Sequence, residues 1–398
     1  MPAQRKRQAV VNALFKQLDS ISRQCGEQFP LYRLPRERKW KLSRRGSWLG
    51  GFWAGLWWRR AAYTELSEDL DQAAFWSRQL VAQLDEPSLN RSFVFWYGAA
   101  FGGRLAQAGV DVTFLVRPAR AAQLDRDGLV IRSPLGDASF PVQHVTADAL
   151  PALAAQKPFD LVILSCKAYD LDSSIDAIAP AVGANTTVLP ILNGLHHYNA
   201  LDLRFGREAV LGGLCFISAT KAPDGAVLHL GKPAKLTFGE RDGGAASARV
   251  RAFAAACAQA HLDHLASEHI GQEQWIKYTF LTALAAATCL LRADIGTIVA
   301  TDDGEAIVRG LYDECLAVAE AAGEPIPDAA QDTARGTLTQ AGSALKASML
   351  RDLEAGQQVE AEQIVGDMLA RARKADQEAL LLQVAYSSLQ AYQALRGA

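Results

Sequence analysis

The sequence predicts an α/β domain followed by an all-helical domain, with a helical segment in front of both. Seven of the eight tryptophans lie in the first 96 of the 398 residues, which marks a change of composition near that point. Strand and helix patterns then alternate, and from Ser247 to the end only helical periodicity is visible. We therefore place the domains at residues 1–97, 98–243 and 244–398.

Charge and cysteine content exclude several classes of protein. A formal net charge of −2 gives no general reason to expect a nucleic-acid partner. The six cysteines show no CxxC pair and no clustered histidines, so we expect reduced thiols, no metal site and a cytoplasmic protein. We expect no signal peptide, and the longest uncharged apolar run, 46–58, is well short of the roughly 20 residues that span a membrane.

The first segment combines helical patterns with aromatic, glycine-bearing turns. Residues 33–60 contain nine Lys or Arg and a single acid, Glu37. The aromatic residues of this run follow an apolar, glycine-rich helical pattern and are not interleaved with the charges. We therefore expect a solvated flank around core tryptophans rather than a nucleic-acid-binding arm.

The second segment contains three runs that predict strands of a parallel sheet. The β-branched run 110–117 lies between Gly109 and Pro118, which predicts a buried strand. Two near-continuous apolar runs, 158–170 and 186–194, predict further strands of the parallel type. The sequence "LDSSIDAIAPAV" between these two runs predicts a crossover helix.

Antiparallel strands are predicted at two places in the same segment. The runs "GLVIRSPLG" and "SFPVQHVTA" indicate an antiparallel excursion. Residues 211–240 indicate a strand pair that turns at Pro223-Asp224-Gly225. These features complete the prediction of a nucleotide-binding type of α/β domain.

Five ordered blocks resemble ketopantoate reductase, the NADPH-dependent 2-dehydropantoate 2-reductase family, across residues 98–396. The blocks are "GGRLAQAGVDVTFLVR", "DLVILSCKAYD", "LPILNG", "WIKYTFLTALAAATCLLRADIG" and "SMLRDLEAGQQVEAEQIVG". The resemblance implies a Rossmann-like domain, a helical C-terminal domain, and a cleft where hydride passes from NADPH to a small 2-keto acid. It further implies reduction of ketopantoate to pantoate in pantothenate biosynthesis, and it is compatible with a homodimer.

Four residues match positions that this family uses for its cofactor. Gly98 matches the third glycine of the dinucleotide-binding turn, which allows close packing of helix on strand. Arg117 matches the residue that binds the adenosine 2′-phosphate. An arginine at this position favours NADP over NAD. Lys167 and Asn193 match residues that contact cofactor and substrate. A solvated arginine at a strand end and a capping asparagine at a strand exit are the alternatives.

Lys277 matches the catalytic lysine of the family. Reduction of a ketone places negative charge on its oxygen, and an ammonium group supplies both a proton and charge stabilisation. Lys277 is the only charged residue from Trp275 to Leu291, so burial should lower its pKa. A lysine that snorkels at the start of a helix is the alternative.

Glu360 and Ser348 match the residues that accept a hydrogen bond from the substrate hydroxyl and bind the substrate carboxylate. Glu362 lies close by in the sequence, but the spacing from Ser348 favours Glu360 for this role. The alternative is that Glu360 and Ser348 are ordinary surface residues. Leu281 and Ala285 replace polar asparagines that some members carry. The sequence therefore leaves the identity of the 2-keto acid open.

The phosphate-binding turn departs from the family. If Gly98 is the third glycine, Phe93 and Phe95 occupy the places of the first two, which normally permit a tight turn and close approach to the pyrophosphate. A benzyl group at either position should obstruct the phosphates, although "SFVFW" still predicts a strand. The alternative to a working reductase is a catalytically silent fusion with impaired NADPH binding.

Residues 1–97 resemble an N-terminal fragment of unsaturated glucuronyl hydrolases, which are helical barrels that open on tryptophan-bearing helices. That family has an acidic His-Asp pair before a "GF.F" segment, where this chain has Leu89-Asn90. The resemblance therefore does not support hydrolysis. It suggests that the beginning of a hydrolase has been joined to the body of a reductase between about Ser92 and Phe101.

Overall fold

The computed structural model describes residues 2–32, 39–43, 49–64, 66–81, 96–222 and 224–397. The chain divides into two compact units, Met1–Ser88 and Leu89–Ala398. Within the described ranges no helix has the length and apolar character needed to cross a membrane. The predictions for Phe93, Phe95 and Leu89-Asn90 concern residues outside these ranges. The predicted strand "SFVFW" lies outside them except for Trp96, which is the first residue of a helix.

The first unit is a small helical assembly around aromatic side chains. Its elements are α1 (Pro2–Cys25), β1 (Phe29–Tyr32), β2 (Lys41–Ser43), α2 (Leu49–Thr64) and α3 (Ser67–Val81). Phe29, Trp53, Trp57 and Trp76 are buried together. Arg60, from the basic run, pairs with Asp19 and Asp69. The predicted helical segment is confirmed, whereas the short antiparallel pair β1 and β2 was not foreseen.

The second unit begins with α-helices and β-strands in alternation. The strands are β3 (Thr113–Leu115), β4 (Leu129–Arg132), β5 (Ala138–Phe140), β6 (Gln143–Val145), β7 (Leu161–Leu164), β8 (Thr187–Pro190), β9 (Gly212–Lys221), β10 (Val227–Gly239) and β11 (Asp263–Ala266). The helices are α4 (Trp96–Gln107), α5 (Pro118–Asp127), α6 (Leu150–Gln156), α7 (Leu171–Ile178), α8 (His197–Phe205) and α9 (Ala248–Gln259).

The strands pair as parallel and antiparallel ladders, as the α/β prediction requires. β3 pairs in parallel with β6, and β7 pairs in parallel with β8. β4 pairs antiparallel with β5, and β9 pairs antiparallel with β10 across the turn at Asp224. The predicted α/β class is therefore confirmed.

Two strand predictions need correction. The run 110–117 was predicted to be a buried strand, but β3 covers only Thr113–Leu115 and is half-buried. β11 lies in a region where only helices were predicted, and it pairs in parallel with β10. Its four residues, Asp-His-Leu-Ala, carry no apolar alternation, so their pairing depends on the edge that β10 offers.

Helix α4 packs closely on the strands because its glycines carry no side chain. A Cβ atom on Gly98 would overlap the Ser165 hydroxyl, which follows β7. A Cβ on Gly103 would lie 2.6 Å from the Cδ1 atom of Ile131 in β4. A larger residue at Gly98 would therefore require the Ser165 side chain to move, whereas glycine lets helix and strand approach as they are.

The C-terminal part is a helical bundle around one buried helix, α10 (Ile270–Leu291). The other helices are α11 (Ile295–Val299), α12 (Gly304–Ala321), α13 (Asp328–Leu338), α14 (Ser348–Glu354), a π-helical turn (Glu362–Gly366), α15 (Asp367–Lys374) and α16 (Leu380–Gly397). Small residues at positions 283 and 285–287 of α10 are completely buried, which lets the surrounding helices approach its backbone. The predicted helical C-terminal domain is confirmed.

Gly194 lies in the loop between β8 and α8, where the chain passes close to the helical bundle. Its φ angle is +76°, and a Cβ atom there would lie 2.9 Å from the Gln363 carbonyl oxygen in the π-helical turn. The Tyr278 ring of α10 would be 3.7 Å away. The left-handed backbone and the nearby carbonyl both require glycine.

We predict that Gly194→Ala destabilises the second unit by about 1–3 kcal/mol, because it adds both backbone strain and a clash with a backbone oxygen. Gly336→Ala is the matched control, since Gly336 lies within α13 with no neighbouring atom within 4 Å. That control should be neutral or stabilise by up to about 1 kcal/mol. Urea unfolding would measure both free energies, and equal values for the two variants would contradict the prediction.

Candidate active site

Two predicted site residues lie at the carboxyl ends of neighbouring parallel strands. β7 ends at Leu164 and Lys167 follows it, while β8 ends at Pro190 and Asn193 follows it. Because β7 and β8 are paired in parallel, both side chains lie at the same edge of the sheet. This edge is where ligands bind in open α/β sheets.

Lys277 is the eighth residue of α10, and its ammonium group is held by the α/β part. Its Nζ atom donates to Asn193 Oδ1 at 3.0 Å and to the Cys215 carbonyl oxygen at 2.8 Å. Burial lowers the pKa of Lys277, and the negative charge of Glu360 partly opposes that shift. The structure thus brings together Lys277 and Asn193, two residues that the sequence analysis singled out separately.

Lys167 is buried between two carboxylates from the helical bundle. Its Nζ atom donates to Asp352 Oδ2 at 2.8 Å and lies 3.5 Å from Glu360 Oε2. Glu360 also accepts a hydrogen bond at 2.9 Å from the Ala168 backbone N–H. Burial raises the pKa of Asp352, and the Lys167 charge opposes this shift. Glu362, the competing acid in the sequence, is exposed.

The remaining predicted residues lie outside these two clusters. Ser348 is the first residue of α14, is half-buried, and its hydroxyl has no hydrogen-bond partner among the described residues. Arg117 is exposed between β3 and α5. Burial raises the pKa of the Asp170 carboxyl group, and the positive charge of Arg117 opposes this shift. Gly98 lies in α4 against Ser165.

Several residues that complete the site were not identified from the sequence. Asp352 lies within the block "SMLRDLEAG", four residues after Ser348, and this helical spacing was an available signal. The Phe216 ring centroid lies 5.4 Å from Lys277 Nζ. Arg351 donates to the Ser218 hydroxyl at 3.3 Å. Nothing in the local sequence indicates that Phe216 or Arg351 approaches α10 or β9.

A third cluster anchors α10 beside Lys277. The Tyr278 hydroxyl donates to Asp367 Oδ2 at 2.8 Å, and Arg371 Nε donates to the same oxygen at 2.9 Å. Burial strongly raises the pKa of Tyr278, and the Asp367 charge adds to that shift. Tyr278 therefore stays protonated and fixes the turn of α10 that carries Lys277.

Several described residues are compatible with a bound dinucleotide. Within them, no group of three or more His, Cys, Asp or Glu is placed to hold a metal. The close packing at Gly98, the exposed Arg117, and the polar groups at the ends of β7 and β8 are compatible with the two ends of a nicotinamide dinucleotide. Residues 93–95, at the expected pyrophosphate position, lie outside the described ranges.

Comparison with known proteins identifies the family. Residues 97–243 match the family described as ketopantoate reductase PanE/ApbA, and residues 269–393 match its C-terminal domain. The uncharacterized oxidoreductase YkpB of Bacillus subtilis is 36% identical over 75% of this chain and 96% of its own length. A 2-dehydropantoate 2-reductase of Halobacterium salinarum is 29% identical over 70% of this chain and 90% of its own length.

Solved structures share the same fold. A 2-dehydropantoate 2-reductase from Geobacter metallireducens superposes with a TM-score of 0.66 and 28% identity, covering 74% of this chain and 95% of that chain. A D-mandelate dehydrogenase, solved with NADH and anilino(oxo)acetate, has a TM-score of 0.66 at 18% identity and shows the fold alone. It covers 75% of this chain and 96% of that chain.

The family matches begin at residue 97, so they do not extend to the first unit. These comparisons do not support a resemblance of residues 1–97 to glucuronyl hydrolases, which stays a prediction. The α/β and helical parts of the second unit, by contrast, are each matched. The chain belongs to the ketopantoate reductase family of oxidoreductases.

Proposed function

We propose that this chain reduces a small 2-keto acid to the corresponding 2-hydroxy acid with NADPH, and that Lys277 is the proton donor. Ketopantoate is the reference substrate that the family suggests. The observation that supports the proposal most directly is the Lys277 ammonium, held by Asn193 Oδ1 and the Cys215 carbonyl between the sheet edge and α10. A bound reduced nicotinamide would supply the hydride.

In this proposal the ammonium of Lys277 donates a hydrogen bond to the keto oxygen and then transfers a proton to it. Burial lowers the lysine pKa, which eases release of the proton. Asn193 uses its Oδ1 atom to hold Lys277, so its amide N–H groups are left to donate to cofactor or substrate.

Glu360 and Ser348 take the substrate-binding roles in the proposal. Glu360 is buried and already held by the Ala168 N–H, so its carboxylate is fixed before substrate arrives. The Ser348 hydroxyl, without a partner among the described residues, is available to bind the substrate carboxylate. Lys167 and Arg117 are assigned to the cofactor, the latter through the adenosine 2′-phosphate.

The first test is binding and turnover. Purified protein is titrated with NADPH by fluorescence, and ketopantoate-dependent loss of NADPH is then followed. Micromolar binding with turnover supports the proposal. If binding is absent and returns when residues 1–97 are replaced by a glycine-containing strand and turn, the silent-fusion alternative holds instead.

Lys277→Ala is expected to lower kcat by about 100- to 10,000-fold, because proton donation and charge stabilisation are lost together. Lys374→Ala, an exposed lysine near the end of α15, is the control and should leave kcat unchanged. NADPH titration of both variants separates a catalytic defect from loss of binding. A Lys277→Ala enzyme with kcat near that of the unchanged protein would refute the assignment.

The pH profile should report the protonation of Lys277. The rate depends on the ammonium form, so it should fall as pH rises through a pKa that lies below the ordinary lysine value. Glu360→Gln removes a negative charge that raises this pKa, so the fall should move to lower pH in that variant. The decrease of kcat at alkaline pH is measured for the unchanged protein and for Glu360→Gln. If the decrease occurs at the same pH in both, Glu360 does not influence the pKa of Lys277.

Arg117→Ala is expected to raise KM for NADPH by about 10- to 100-fold, with little change for NADH, since a charge-assisted contact to the 2′-phosphate is removed. Arg126→Ala is the control because Arg126 is an exposed arginine on the neighbouring helix α5. An equal effect on both cofactors would exclude a role in reading the 2′-phosphate.

A further inference from the structure

Strand β9 presents a distinct surface beside Lys277. Cys215 and Ile217 pack into the core of the sheet, so the alternate residues Leu214, Phe216 and Ser218 face the other side. Leu214 lines a small cavity together with Lys277. Phe216 is 43% exposed, although its ring centroid lies only 5.4 Å from the Lys277 ammonium nitrogen.

The ammonium group of Lys277 limits where a substrate can bind. An ammonium has three N–H donors, and two of them are taken by Asn193 and the Cys215 carbonyl. A keto oxygen that accepts the third lies about 3 Å from Nζ. The groups attached to that carbonyl carbon are then within reach of the Phe216 ring.

The walls around Lys277 offer apolar contacts. Leu281, one turn after Lys277 on α10, lines the same cavity, as do Leu192 and Leu214. Gln274 is a polar residue in the same lining, and its Nε2 donates to the Tyr198 hydroxyl and to the Gly213 carbonyl oxygen. The nearby Tyr278 hydroxyl donates its proton to Asp367 Oδ2.

Leu281 and Ala285 stand where some family members carry asparagine. The two side chains differ in what they can contact. Leu281 is half-buried and lines the cavity, whereas Ala285 is completely buried within the bundle. Only Leu281 is therefore placed to act on a substrate. Neither the Leu281 side chain nor the Phe216 ring can form a hydrogen bond with a hydroxyl on a substrate side chain, so these two residues favour a hydrocarbon group.

We propose that the preferred substrate is a 2-keto acid with a hydrocarbon side chain, and that Phe216 and Leu281 select it against ketopantoate. This inference rests on the proposed reductase function. An apolar side chain would cover the exposed part of the Phe216 ring, which is favourable in water. The hydroxymethyl group of ketopantoate gains no hydrogen bond from these two residues, and in this inference the hydroxyl that donates to Glu360 is the 2-hydroxyl of the product.

A matched pair of substrates tests the inference. Ketopantoate and 3,3-dimethyl-2-oxobutanoate differ only by one hydroxyl group, and phenylglyoxylate serves as an aryl probe. We expect kcat/KM for 3,3-dimethyl-2-oxobutanoate to exceed that for ketopantoate by about 10- to 100-fold. Leu281→Asn, which supplies an amide partner, should shift this ratio towards ketopantoate, and Phe216→Ala should lower kcat/KM for phenylglyoxylate.

Leu291→Asn is the control variant, because Leu291 is 40% exposed at the far end of the same helix. It should leave the ratio unchanged, and circular dichroism of all variants establishes that they are folded. This inference is overturned if the protein prefers ketopantoate, or if Leu281→Asn leaves the ratio of the two kcat/KM values unchanged. Either result leaves the reductase function in place. Absence of turnover with all three acids and either cofactor overturns both.

Discussion

The buried ion pair between Lys167 and Asp352 holds the candidate site together. Lys167 follows a strand of the sheet and Asp352 belongs to the helical bundle, so their contact at 2.8 Å ties the two parts of the second unit. Breaking such a pair leaves an uncompensated buried charge, typically at a cost of about 3–5 kcal/mol. Glu360 is fixed by the same arrangement, through Lys167 and the Ala168 N–H.

Charge balance in the site has a consequence for binding. Two ammonium groups, Lys167 and Lys277, are accompanied by two carboxylates, Asp352 and Glu360. A 2-keto acid adds a further negative charge, which this balanced group does not offset. Arg351, one turn after Ser348 and in contact with Ser218, brings an additional positive charge to the same helix face.

Much of this arrangement could be predicted because it follows from strand ends and from isolated charges in apolar segments. Lys167 and Asn193 follow parallel strands, and Lys277 interrupts a long uncharged run, so local sequence indicates their positions. Phe216 and Asp352 could not be assigned in this way, since their partners lie 61 and 185 residues away in the chain. Strand β11 was missed because its pairing depends on β10 rather than on its own sequence.

The six cysteines have a practical consequence. All are buried free thiols, and burial raises the pKa of Cys166, Cys257 and Cys289 to about 12. Thiols in such settings react slowly with alkylating reagents at neutral pH. A cysteine introduced at an exposed position such as Leu203, which is 90% exposed, could carry a fluorophore without removal of the native ones. Movements of the sheet relative to the bundle would then become accessible to spectroscopy in the otherwise unaltered chain.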